Sequence, residues 1–105
     1  MRKINHVGIP TNIPQKGEVY AEGLKVWLTD FNQSENKIEF LRFDNDSWMP
    51  EQIQKYAHIA YEVDSLEKEL VDKKILVEPM QGGENLTIAF IEEEGIAIEL
   101  MEFTK

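Results

Sequence analysis

The sequence predicts one α+β domain made of two copies of a β-α-β-β-β unit, with the helix of the first copy largely missing. Three observations carry this. Strand-like segments dominate the 105 residues. Only one helix is well marked. Two short strings also recur in the same order, a sign of internal duplication. His6-Val7-Gly8-Ile9 returns as His58-Ile59-Ala60-Tyr61, and Ile38-Glu39-Phe40-Leu41-Arg42-Phe43 returns as Ile98-Glu99-Leu100-Met101-Glu102-Phe103. The second pair is spaced more widely than the first, by about the length of the helix that one copy has and the other lacks. The single domain 1–105 thus divides into module one, 1–55, and module two, 56–105.

Taken in order, Ile4–Pro10 alternates as a strand, with Ile4, His6 and Gly8 on one face and Asn5, Val7 and Ile9 on the other. Between Thr11 and Gly23 only Gln15–Glu22 has room for a helical turn or two. Leu24–Phe31 sets Leu24, Val26 and Leu28 opposite Lys25, Trp27 and Thr29, and Lys37–Phe43 and His58–Val63 are rich in β-branched and aromatic residues. Pro50–Tyr56 reads as a short helical turn or as loop. The marked helix, Ser65–Lys73, has Asp64 or Ser65 as its cap and Glu67 and Glu69 near its start, where the helix dipole favours acids. Leu66 and Leu70 share its apolar face, and Lys73 and Lys74 follow at its C-terminal end. Leu86–Glu92 and Ile96–Phe103 flank Glu93-Glu94-Gly95 and read as a hairpin, the glycine supplying positive φ.

Composition narrows the function. Hydrophobic residues are 42% of the chain, enough for a core, and no apolar run approaches the roughly 18–20 residues that span a bilayer. The N-terminus has no apolar stretch behind its basic start, so no signal peptide is expected and the expected location is cytoplasmic, with no membrane partner. Cysteine is absent, which excludes disulfides, thiolate catalysis and Cys-ligated metals. A net charge of −9 repels phosphate backbones, so nucleic acid is not an expected partner.

The duplication places the chain's two histidines, His6 and His58, at equivalent positions, and does the same for Glu39 and Glu99. A histidine on a strand is often purely structural, and a strand glutamate commonly faces solvent. Here each unit opens on a histidine and carries a glutamate in its last strand. By alternation Glu39 shares a face with Leu41 and Phe43, His58 with Ala60, and Glu99 with Met101 and Phe103. A carboxylate on an apolar face is costly to bury unless it is paired or bound to metal. If the two units are related by an approximate twofold, the four side chains converge. Two imidazoles and two carboxylates suit one divalent ion such as Zn, Ni, Mn, Co or Fe.

The opening INHVGIP, the mid-chain YAHIAYEV followed by a helix, and the ending IAFIEEEGIAIELMEF resemble the vicinal oxygen chelate superfamily. That group includes glyoxalase I, methylmalonyl-CoA epimerase, fosfomycin- and bleomycin-resistance proteins and extradiol dioxygenases. The resemblance covers nearly the whole chain and is strongest from Tyr56 to Phe103. It implies two βαβββ modules in a cupped mixed sheet around a metal, with His6, Glu39, His58 and Glu99 as ligands.

A glutamate at position 39 favours lyase or isomerase chemistry over oxygen activation, because the two-His-one-Glu members do not require it. The implied activity is that of a metal-dependent glyoxalase-like lyase, isomerase or epimerase. It would act on a small carbonyl or thioester substrate through a metal-stabilised enediolate, with Glu99, and second Glu39, as catalytic base. Two other readings stay open: a non-catalytic small-molecule-binding module, and a two-His-one-Glu dioxygenase. Trp27, Trp48, Phe43, Met101 and Phe103 are candidate pocket lining, although Trp27 and Phe103 also read as core and Trp48 as a loop anchor. Gln81-Gly82-Gly83 reads as a loop over the site or as a plain turn, and Arg42 points away from the face of Glu39. The chain departs from the family pattern in its first helix, whose absence leaves Val7, Ile9, Ile38 and Phe40 uncovered on the convex face. Such apolar area is normally hidden, so a homodimer is expected.

Overall fold

The computed structural model describes residues 1–104. One eight-stranded mixed sheet holds the chain, made of β1 (Lys3–Pro10), β2 (Val19–Ala21), β3 (Val26–Leu28), β4 (Ile38–Phe43), β5 (His58–Glu62), β6 (Lys74–Gly83), β7 (Leu86–Glu93) and β8 (Ile96–Phe103). Two one-turn helices, α1 (Glu51–Lys55) and α2 (Leu66–Glu69), complete it. The strand order is β2-β3-β4-β1-β5-β8-β7-β6, so each module contributes one contiguous half. Val26 of β3 and Ile88 of β7 are separated by four strands yet line the same cavity. The sheet is therefore curled into a cup, and the expected α+β architecture with its reduced helix content is present.

The duplication is visible residue by residue in the register. In module one, β1 and β4 run parallel and pair Val7 with Ile38, Gly8 with Glu39, Ile9 with Phe40 and Pro10 with Leu41. In module two, β5 and β8 run parallel and pair Ile59 with Ile98, Ala60 with Glu99, Tyr61 with Leu100 and Glu62 with Met101. These are the same four pairs under the equivalence of the repeated strings. The modules join where β1 and β5 run antiparallel, pairing His6 with Ala60, Val7 with Ile59 and Gly8 with His58. Exchanging the modules maps this set of pairs onto itself, so an approximate twofold passes between Val7 and Ile59.

Several local expectations are corrected. Gln15–Glu22 forms no helical turn; Val19–Ala21 becomes the edge strand β2 instead. The long strand expected over Leu24–Phe31 shrinks to β3, because Lys25 takes positive φ before it and a 3-10 turn, Phe31–Gln33, follows. Asp30 caps that turn, its Oδ1 accepting from Asn32 N. Pro50–Tyr56 does hold a helical turn, α1. The expected helix Ser65–Lys73 is only α2, capped by Ser65, whose Oγ accepts from Lys68 N; Asp72 then turns with positive φ. Gln81-Gly82-Gly83 is the end of strand β6 rather than a loop. That strand carries three register shifts, the one between Val77 and Met80 spanning Pro79, which the sheet edge tolerates. The β7–β8 hairpin forms as expected, with Glu94 and Gly95 both at positive φ and Glu93 paired with Ile96, as a tight two-residue turn requires.

The core is split by the sheet. Met49, Ile53 of α1, Ile88, Phe90 and Met101 form one cluster, with Phe43 packed against it. Leu66 of α2 packs with Ala89, Ile91, Ile98 and Leu100 on the convex side of module two. Module one has no such cover. Ile38 and Phe40 are only partly buried, whereas their counterparts Ile98 and Leu100 are buried beneath α2. On the outer face of β4, Arg42 lies over Trp27 and pairs with Glu18, pointing away from the cup as expected.

Candidate metal centre

Four residues meet at the floor of the cup. His6 and His58 descend from the two central strands, β1 and β5, and Glu39 and Glu99 from the neighbouring β4 and β8. One ligand atom each from His6, Glu39 and His58 lies within 4.8 Å of the others. Glu99 Oε1 is 3.1 Å from His58 Nε2 and 3.4 Å from His6 Nε2, and Glu39 Oε1 is 3.5 Å from His6 Nε2. Both imidazoles and Glu99 are buried. The twofold explains the convergence: the central antiparallel pair places His6 beside Ala60 and His58 beside Gly8, and the parallel pairs place Glu39 beside Gly8 and Glu99 beside Ala60. All four residues singled out in the sequence are thus brought to one point.

Local features hold each ring in place. Asn5 Oδ1 accepts from His6 Nδ1 at 2.7 Å while Asn5 Nδ2 donates to Glu62 Oε2 at 2.9 Å. With its proton on Nδ1, His6 presents Nε2 to the two carboxylates. Phe31, from the 3-10 turn, stacks on the His6 ring at 4.2 Å between centroids and 13° between planes. Phe90 meets His58 edge-on at 5.2 Å. Gly8 supplies the space under His58, since a Cβ there would sit 2.2 Å from His58 Cε1. Sequence reasoning missed Asn5 and Phe31. Asn5 was placed on the opposite face from His6, but a register shift between Ile4 and His6 resets the alternation, leaving Ile4 63% exposed and Asn5 lining the cup.

The electrostatics are those of a site built around opposite charges. Burial works against a charged imidazole at His6, but the carboxylates of Glu39 and Glu99 outweigh it and raise His6 to about 9. Burial likewise opposes the ionised form of Glu99. The imidazoles of His58 and His6 overcome it and hold the carboxyl well below the usual glutamate range.

A divalent cation fits this donor set. His6 Nε2 is buried without a hydrogen bond, the two carboxylates facing it being too long or misaligned to serve, and it is aimed into the cluster. Two imidazole nitrogens with carboxylate oxygens and no thiolate match a borderline metal such as Zn, Ni, Mn, Co or Fe. The His6–Glu39–His58 group can hold such an ion, with Glu99 at its side.

Above the cluster the cup encloses about 400 Å³. Its walls are apolar, with Leu24, Val26 and Leu28 on one side and Leu86, Ile88 and Met101 on the other. Phe43 and Phe103 line it as anticipated, but Trp27 and Trp48 do not. Trp27 packs on Tyr20 outside the sheet, and Trp48 lies half exposed, donating from Nε1 to Gly23 O at 2.7 Å, which is the loop-anchor role.

No known family profile matches the chain, and no curated protein matches it. Solved structures do. A hypothetical protein from Bacillus halodurans C-125 superposes with a TM-score of 0.72 at 20% identity, over 99% of this chain and 96% of that one. A methylmalonyl-CoA epimerase from Mycobacterium tuberculosis superposes with a TM-score of 0.65 at 18% identity, over 97% of this chain and 88% of that one. At such identities the likeness is one of fold alone.

Proposed function

We propose that the protein is a divalent-metal-dependent isomerase or lyase of the glyoxalase kind, acting on a small carbonyl or thioester substrate. One observation carries the reading: two imidazoles and two carboxylates converge at the floor of an otherwise apolar cup. His6, His58, Glu39 and Glu99 would hold the metal, which when bound supplies a Lewis acid for adjacent substrate oxygens. The protein's own part is proton transfer. A glutamate carboxylate takes the proton from the carbon beside the carbonyl. The C–H electron pair becomes a carbon–carbon double bond as the carbonyl π pair moves onto oxygen. Return of the proton to the same or the neighbouring carbon gives epimerisation or isomerisation. Glu39 faces one imidazole and Glu99 faces two, so both lie at the floor beside the bound substrate, and Glu99, with Glu39 second, would be the base. Asn5 and Phe31 keep His6 oriented, and the apolar walls exclude water. The fold shared with an epimerase supports the same class of chemistry.

Untagged protein loaded with Zn, Ni, Mn, Co or Fe should retain about one equivalent of metal. His58→Ala and Glu99→Gln should each lose it with an unchanged circular dichroism spectrum. Retention below about a tenth of an equivalent contradicts the reading. The apolar cup also supports non-catalytic capture of a small molecule, which predicts ligand binding with no metal requirement and no exchange of substrate protons.

A further inference from the structure

The walls of the cup carry more information than its floor. Beyond the four clustered residues, the polar side chains lining it are Asn5 and Asn32, and Asn5 is occupied by His6 and Glu62. No arginine or lysine among the described residues lines it. Arg2, Arg42, Lys25 and Lys73 are paired with acids elsewhere on the surface. Lys37 touches the cup only through Asn32, whose Oδ1 accepts from its Nζ at 3.4 Å. An anionic group held against these walls, away from the floor with its imidazoles and metal, would lose its hydration and gain no cation. The chain's net charge of −9 adds repulsion during approach. The volume is also small: about 400 Å³ holds roughly a dozen non-hydrogen atoms at about 30 Å³ each.

We infer that the cup takes an uncharged substrate, two oxygens on adjacent carbons attached to an apolar alkyl or aryl body, and rejects anionic thioesters, phosphates and carboxylates. This rests on the metal-isomerase reading for the oxygen-bearing end, and on the apolar walls alone for the body. An α-hydroxyketone meets both demands. Within it the reaction is redox-neutral: the proton leaves the carbinol carbon, returns to the former carbonyl carbon, and the hydroxyl proton passes between the two oxygens.

A matched pair of probes tests it. 2-Hydroxyacetophenone is neutral, and 4-(hydroxyacetyl)benzoate differs from it only by a carboxylate at the far end of the ring. Both are titrated into metal-free and metal-loaded protein by calorimetry. The neutral ketone should saturate both forms and bind more than about tenfold tighter than the anion, the penalty for an unpaired charge in an apolar site. In Phe103→Arg, at a rim position 47% exposed, that preference should shrink. Equal or tighter binding of the benzoate, or no saturable binding of the neutral ketone, overturns the inference. Deuterium uptake at the ketone's CH₂ with metal-loaded protein in D₂O is read separately. Its loss with selectivity intact removes the isomerase reading and leaves the substrate preference standing; selectivity lost with exchange intact removes the preference alone.

Discussion

At Gly8 the space taken by a single methyl group decides whether His58 can reach the cluster. A Cβ at that position would meet the His58 ring at 2.2 Å, and the neighbour is a buried ring packed against Phe90, not the end of a flexible chain. Gly8→Ala should therefore displace the ring, weakening metal binding by about tenfold or more and costing about 1–3 kcal/mol of stability. Metal titration and urea unfolding check the two parts. Asn5 acts on the other ring. It holds His6 Nδ1 and is itself held by Glu62, so Asn5→Ala should lower metal affinity about 10–100-fold. Asn5→Asp combined with Glu62→Gln, which keeps the acceptor for His6 and moves the lost amide donor to position 62, should recover most of that affinity; equal loss in Asn5→Ala and the double variant would assign Asn5 no orienting role. Gly8 was legible as a strand residue beside a histidine. The role of Asn5 was not, because one extra residue in a strand reverses every facing assignment beyond it.

Among the elements, the N-terminal end of β1 is tied to module two by charge. Arg2 donates to Glu93 at the hairpin and to Glu69 at the end of α2, and lies over the Tyr61 ring; Lys73 adds a second contact to Glu93. Hydrogen bonds from Arg2 and then Lys73, with their charges, hold the Glu93 carboxyl down at about 2. Because the folded value lies below the unfolded one, near 4.5, this stabilisation is complete above that pH and is lost as the pH falls toward 2. For a partly exposed network it amounts to about 1 kcal/mol. Urea midpoints measured at pH 6 and pH 3 should fall further for the native protein than for Glu93→Gln. Helix α2 was legible through Ser65, whose cap the structure keeps, but not in length. Its first turn is closed by Ser65 and by Glu102, whose Oε1 accepts from Leu66 N, and the chain turns away at Asp72 into the edge strand β6.

At the scale of the molecule, the two halves agree in register but not in cover. Helix α2 buries Ile98 and Leu100, while the equivalent Ile38 and Phe40 of module one, with Val7 and Ile9, stay partly exposed on the convex face. Exposed apolar area of this kind is normally hidden, so the homodimer expected from the sequence remains our proposal. Light scattering at micromolar concentration should give twice the mass of the 12.2 kDa chain, and Phe40→Glu should return it to the monomer. A native protein that is monomeric would contradict the proposal.

The amino-acid sequence by itself determined the duplicated architecture, because repeated strings impose equivalent strands. It also singled out His6, Glu39, His58 and Glu99, since polar residues recurring at matching places on apolar strand faces are rare enough to notice. Tertiary structure alone decided what those residues meet. The bulge that turns Asn5 into the cup, the 3-10 turn that lays Phe31 on His6, and the exclusion of Trp48 from the walls all depend on backbone geometry and on contacts across the fold. Local residue patterns do not encode those quantities, because they are set by contacts between segments far apart in the chain.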